Sequence, residues 1–185
     1  MLETIISICL GVGLAASAGF RVFVPLFALS LATYFGYIPV GESFTWIGST
    51  TALICLGIAT IVEIFAYYIP VVDNVLDSIA IPLASIAGTL AMASTLIDLD
   101  PMLTWGLAII AGGGTAAALN TATAKTRLAS TATTGGLANP IVSTTETATA
   151  SIISLTSIFF PIIAFIIVLF IFFVGIKLFR KIFGK

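Results

Sequence analysis

Glu63, Asp73 and Asp77 are three of the chain's eight acidic residues, and they fall within fifteen positions that also hold Pro70. They stand inside or beside apolar runs, where an ionised side chain is expensive and marks a candidate site by default. Asp73 and Asp77 are four apart, so a helix stacks both carboxylates on one face, where like charges cost about 0.2–0.5 kcal/mol. A helix starting just after Pro70 offsets part of that cost through its positive dipole end. Two readings follow: Asp73 caps the helix and Asp77 faces water, or both acids join Glu63 in attracting a cation or proton. Oxygen donors in a chain with no histidine suit a hard ion or a proton better than zinc, and the identity of any metal stays open. Glu63 precedes Pro70 by seven residues, about 10 Å along a helix, which places it within a span. Burial there costs on the order of 2.5 kcal/mol and demands a partner: Tyr67 one turn on, Arg21, or a water-filled cavity.

Glu146 is a fourth acid of the same kind, in a threonine-rich stretch that also holds Lys125 and Arg127. Arg21 sits where the first apolar block breaks, and Lys125 with Arg127 occupies the comparable part of a second block. Broken helices expose unpaired N–H groups, so these three bases form one candidate set of anion, substrate or lipid-phosphate contacts. The bland alternative is that Lys125 and Arg127 mark an aqueous loop. No nucleophile and base can be paired without histidine, and Gly112-Gly113-Gly114 lacks the lysine of a phosphate loop, so no enzyme activity and no cofactor are expected. Cys9 and Cys55 read as buried packing residues.

The elements that must position these groups are membrane spans. Of 185 residues 59% are hydrophobic and 8% charged, against roughly a quarter charged in soluble domains. Residues 4–37 form an apolar block, about 51 Å if helical, against a hydrocarbon layer of about 30 Å. Gly19 and Pro25 mark the expected break, which makes two short spans, a kinked helix or a re-entrant hairpin. A span follows from Trp46 to Ile69, with Trp46, Tyr67 and Tyr68 as aromatic collars. The next starts at Asp73 beyond Pro70, is interrupted by Pro82 and ends near Ile97. Residues 105–120 are rich in Gly and Ala, and Thr121–Thr149, with ten threonines, read either as buried helix or as an external loop packed on the bundle. Ile152–Ile176, with Pro161 inside, is the most apolar span. The N-terminal segment carries Glu3 and no base, so it is read as retained structure. Lys177, Arg180, Lys181 and Lys185 at the end place the C-terminus in the cytoplasm.

An offset of 101 residues pairs Gly11 with Gly112, Gly13 with Gly114, and Pro39 with Pro140, an internal echo of halves 1–100 and 101–185. Interrupted segments at corresponding positions of two halves, here 11–25 and 112–130, point to a transporter's substrate site.

Gly13-Leu-Ala-Ala-Ser-Ala-Gly-Phe-Arg-Val-Phe-Val-Pro-Leu26, Val62-Glu63 with Ile69-Pro-Val-Val-Asp73 and Asp77, and Ala132 through Glu146 together resemble a bacterial multi-spanning membrane family catalogued as domain of unknown function 4126. The resemblance implies a bacterial inner-membrane location and supplies no activity. Glu63, Asp73, Asp77, Pro140 and Glu146 match the family pattern; Arg21 is not general to it, and many members have Asp-Lys at Tyr67-Tyr68.

The sequence therefore predicts one all-α transmembrane domain over 1–185, a polytopic helix bundle with two interrupted or re-entrant segments. Its breaks are expected at Gly19, Pro25, Pro70 and Pro140. The expected function is a small transporter or permease with a cation or proton site at Glu63, Asp73, Asp77 and Glu146. The alternatives are an assembly subunit of a membrane complex and lipid-phosphate binding or translocation. Expected partners are the bilayer and an ion or small solute, with a homo-oligomer compatible with so small a chain and no nucleic acid.

Overall fold

The computed structural model describes residues 1–183, so Lys185 of the basic tail lies outside it, as does the side chain of Lys181. Every described element is helical: α1 (Leu2–Ala18), α2 (Phe23–Tyr34), a 3-10 segment (Glu42–Gly48), α3 (Thr50–Ala66), α4 (Pro70–Thr95), α5 (Pro101–Leu107), a π-helical segment (Ala108–Gly113), α6 (Gly114–Thr134), α7 (Asn139–Phe159) and α8 (Pro161–Phe183). Two stretches, Val75–Thr95 and Pro101–Thr134, are long and apolar enough to cross a membrane, and the 3-10 segment with α3, bent by 64°, makes a third if counted as one span.

α1 is the centre. Apolar on every side, it buries every residue from Cys9 to Ala18, as a helix without a polar stripe must. It packs against α4, α6, α7, α8 and α2. Val12 and Ala16 join Met92, Leu119, Ile153 and Val168 in the main core, and Leu10 and Leu14 join Leu29 and Ile47 in a second.

α1 and α2 form a hairpin. Both of its arms leave from the end of the bundle where α4 stops: Thr95 Oγ1 donates to the Ser7 carbonyl at 3.3 Å, and the Gly41 amide, beyond α2, donates to the Ser94 carbonyl at 3.0 Å. The tip, residues 19–22, rests on the middle of the continuous helix Pro101–Thr134, where Asn120 Nδ2 donates to the Gly19 carbonyl at 3.1 Å. Gly19 is right-handed, with φ −68°. Its requirement is space, since a Cβ there would lie 2.6 Å from Leu119 Cβ and 2.8 Å from the Ala116 carbonyl oxygen.

The residues expected at breaks all lie at helix boundaries: Gly19 caps α1, Pro25 is third in α2, Pro70 opens α4 and Pro140 is second in α7. Proline fits there because first-turn amides lack helical partners anyway. The second Gly/Ala-rich segment is interrupted differently, by the π-helical turn at 108–113. α6 then crosses 120–123, the positions that an offset of 101 matches to the tip, without a gap.

Three expectations need correction. Pro161 is not inside a span: α7 ends at Phe159 and Pro161 opens α8, since its ring would clash with the carbonyl four residues back if the helix continued. The span expected to begin at Trp46 is bent, because Trp46 lies in the 3-10 segment and α3 starts only after Ser49, whose side chain accepts from the Ala52 amide at 3.1 Å. Cys55 is exposed rather than buried.

The threonine-rich region is helix rather than loop, but it is not the buried helix expected, since none of its ten threonines is buried. In α6 and α7 the hydroxyls of Thr121, Thr126, Thr145, Thr149 and Thr156 each donate to the carbonyl four residues back. That bond removes the hydroxyl's need for water, so threonine costs little on an apolar helix. The two helices are separated by Gly135 and Gly136, at φ 63° and 88°, a left-handed conformation that side chains disfavour.

Candidate functional site

Four acids and two arginines, drawn from four helices and the hairpin tip, meet inside the far half of the bundle. Arg127 of α6 is the hub and is 5% exposed. Its Nε donates to Glu146 Oε1 at 3.1 Å and its Nη2 to Glu146 Oε2, a two-pronged pairing with α7. Its Nη1 donates to Asp73 Oδ1 at 2.5 Å and to Asp77 Oδ1 at 3.1 Å, both on α4. The planar guanidinium suits this role because its five N–H donors sit in a fixed fork that matches carboxylates.

Arg21, at the hairpin tip, is 1% exposed. Its Nη2 donates to the Ser143 carbonyl at 2.9 Å and to Ser143 Oγ at 2.6 Å, and its Nε donates to Thr147 Oγ1 at 3.0 Å. Its Nη1 stands 3.3 Å from Glu146 Oε2. Glu146 is thus shared by both arginines and ties the tip and α6 to α7. Tyr67, at the end of α3, lies under both guanidinium carbons, each 4.1 Å from the ring centroid, a cation–π geometry.

Glu63 is held differently. Its Oε1 accepts from the Val22 amide at 2.7 Å and its Oε2 from the Phe23 amide at 2.9 Å, so its carboxylate caps the start of α2. Orphan N–H groups and the positive dipole end stabilise an acid at that point. Neither Tyr67 nor Arg21 is the direct partner of Glu63. Among the described residues it makes no ion pair, whereas Asp73, Asp77 and Glu146 each face an arginine. Asp73 does not cap α4, since its carboxylate goes to Arg127 and accepts from Asn139 Nδ2 at 3.2 Å. Asp77 is the member nearest water, with its side chain 26% exposed.

Six of the seven expected charged residues therefore come together: Glu63, Asp73, Asp77, Glu146, Arg21 and Arg127. Lys125 is exposed on α6. The acids turn toward guanidiniums and backbone amides, and no group of three or more acidic or cysteine side chains placed to hold a metal ion occurs among the described residues. Tyr67, expected to collar the membrane surface, is buried at 7% exposure. Ser143 and Thr147 were not singled out as site residues, although α7 carries the signal. Ser143, Glu146, Ala150, Ser154 and Ser157 recur at helical spacing and form its buried face. A small and polar stripe on an otherwise apolar helix marks the side that meets protein.

With every member ionised, four carboxylates against two guanidiniums leave a formal charge of minus two in a nearly dry interior. The amide ends at α2 offset part of it at Glu63. The remainder is charge that the cluster does not compensate among its own members, and low dielectric strengthens every such charge.

The fold and site define a class: an all-α helical membrane bundle that encloses an ion-paired polar cluster. The chain belongs to the family described as Domain of unknown function (DUF4126), whose model matches residues 8–181. No curated protein and no solved structure matches the chain.

Proposed function

We propose that this protein is a small transporter or permease of the bacterial inner membrane, in which the buried cluster takes up and releases a proton or a cation. The observation that carries the reading is the excess of acid over base around Arg127, buried among the helices and set beside the tip of a broken one. Such a cluster is costly to bury, which supports a role for it beyond packing. In this reading α1 and α2 are a re-entrant hairpin, its irregular tip covered by protein as the bilayer requires. The basic tail supports a cytoplasmic C-terminus, and in this reading Asp77 is the port through which the cluster meets water.

Protonation, or a cation, at Asp77 weakens its bond to Arg127, and Arg127 then shifts its weight onto Asp73 and Glu146. Because these acids lie on different helices, occupancy of the cluster biases how α4 and α7 sit against α6. Purified protein in liposomes should therefore pass protons or alkali cations, read with an internal pH dye or by isotope uptake. Asp77→Asn and Glu63→Gln should each lower the flux at least tenfold. Flux equal to that of protein-free liposomes for every ion tested would remove this function.

The assembly-subunit alternative draws on one observation. Gly114, Ala118 and Ala122 are exposed along α6, and nothing lies within 4 Å of where a Cβ of Gly114 would stand. Such a face admits another helix closely. Lipid-phosphate handling through the bases has less support, because both buried guanidiniums already face carboxylates.

A further inference from the structure

α3 and α4 are joined by a short turn, yet they splay apart and leave a cleft of about 420 Å³ between them. Its walls include Phe23 at the start of α2, Ala59 and Val62 of α3, and Leu76, Ala80 and Leu83 of α4, with Glu63 and Tyr67 also lining it. Ile58, Val62 and Leu83, which also line it, are exposed apolar residues, so the cleft opens toward the region where a bilayer's acyl chains would lie. Helices in contact along their length leave no such space, and apolar walls in lipid are filled by something apolar.

The wall also carries charge of one sign. Glu63 uses two acceptor positions on the Val22 and Phe23 amides, and a carboxylate offers about four. It is the acid of the cluster that faces no arginine within ion-pair reach among the described residues. Behind it stands the surplus of acids over guanidiniums, four against two in the cluster as a whole.

We infer that the α3–α4 cleft is a binding site for a lipophilic organic cation, which enters from the bilayer with its apolar body between Ala59 and Ala80 and its charge against Glu63. A neutral lipid chain would fill the walls but leave the carboxylate unanswered, and a hydrated inorganic ion would be excluded by them. The inference rests on the transport reading for its purpose, naming the class of substrate exchanged against the proton or cation, but the site itself is testable without transport.

The test uses tetraphenylphosphonium and its isosteric anion tetraphenylborate, measured by equilibrium dialysis against the purified protein in lipid nanodiscs, with empty nanodiscs subtracted. The cation should bind saturably and at least tenfold more tightly than the anion. Val62→Trp, at an exposed position on the cleft wall, narrows the cleft and leaves all six charged residues in place; it should weaken the cation at least tenfold, and Glu63→Gln should do the same. If Glu63→Gln does not fold, Val62→Trp decides. Equal binding of the two ions, or cation binding indifferent to Val62→Trp, overturns the site. Saturable, cleft-dependent binding without any ion flux keeps the site and removes the transport reading. Flux that depends on Asp77 in a protein that binds no phosphonium does the reverse.

Discussion

Arg127→Met should cost about 3–5 kcal/mol of stability, the range found when one partner of a buried ion pair is removed. Its loss leaves Asp73 and Glu146, 2% and 5% exposed, without the guanidinium that both of them face. The expected result is a protein that expresses poorly, or that melts well below the wild type when purified in mild detergent. Arg127→Lys should recover only part of the loss, because one ammonium cannot reach across to Glu146 in two places and to α4 as well. The decisive comparison is the triple change Arg127→Met, Asp73→Asn, Glu146→Gln. Neutralising the stranded acids should recover most of the stability, since the penalty comes from uncompensated charge. A triple variant no more stable than Arg127→Met alone would show that Arg127 acts through shape instead. Flux should stay absent in the triple variant even where the fold returns, which separates holding the bundle together from moving an ion.

The second large effect concerns two glycines that no chemistry recommends. Where α4 passes the π-helical segment, a Cβ on Gly112 would lie 2.7 Å from the Gly88 carbonyl oxygen, and one on Gly88 would lie 2.8 Å from that of Gly112. Both obstacles are backbone, so neither can swing aside. Gly112→Ala should cost about 1–3 kcal/mol and Gly112→Ile more, as overpacking does. Gly114, two residues on, has nothing within 4 Å of the same position. Gly114→Ala should be neutral or raise stability by up to about 1 kcal/mol, the difference in helix propensity. Thermal unfolding of the three variants in one detergent checks the pattern, and equal losses at Gly112 and Gly114 would contradict the close crossing.

Much of this molecule was legible before any coordinates. Few charges and long apolar runs declare membrane helices, and an acid kept in such a run declares a buried polar site, because both statements follow from the cost of transfer into hydrocarbon. Gly19, Pro70 and Pro140 mark real helix boundaries for local reasons. Other boundaries were hidden. Pro82 and Pro161 are the same residue in similarly apolar surroundings, yet α4 runs through the first and the chain breaks at the second. Whether a helix tolerates the lost hydrogen bond depends on what packs around it. The threonine stretch stayed ambiguous because a hydroxyl bonded to its own helix and one exposed to water look alike in sequence.

Pairing was the part that sequence could not supply. Arg21, Glu63, Arg127 and Glu146 are tens of residues apart, and each partnership between charged groups satisfies the same electrostatics on paper. The sequence by itself determined that several ionised groups must be kept from lipid, and which residues they are. Only the tertiary structure decided that Arg127 collects three acids while Glu63 caps α2. That choice depends on where the hairpin tip comes to rest, and its resting place is set by close packing of Gly19 against Leu119 and Ala116, a contact between residues with no charge at all.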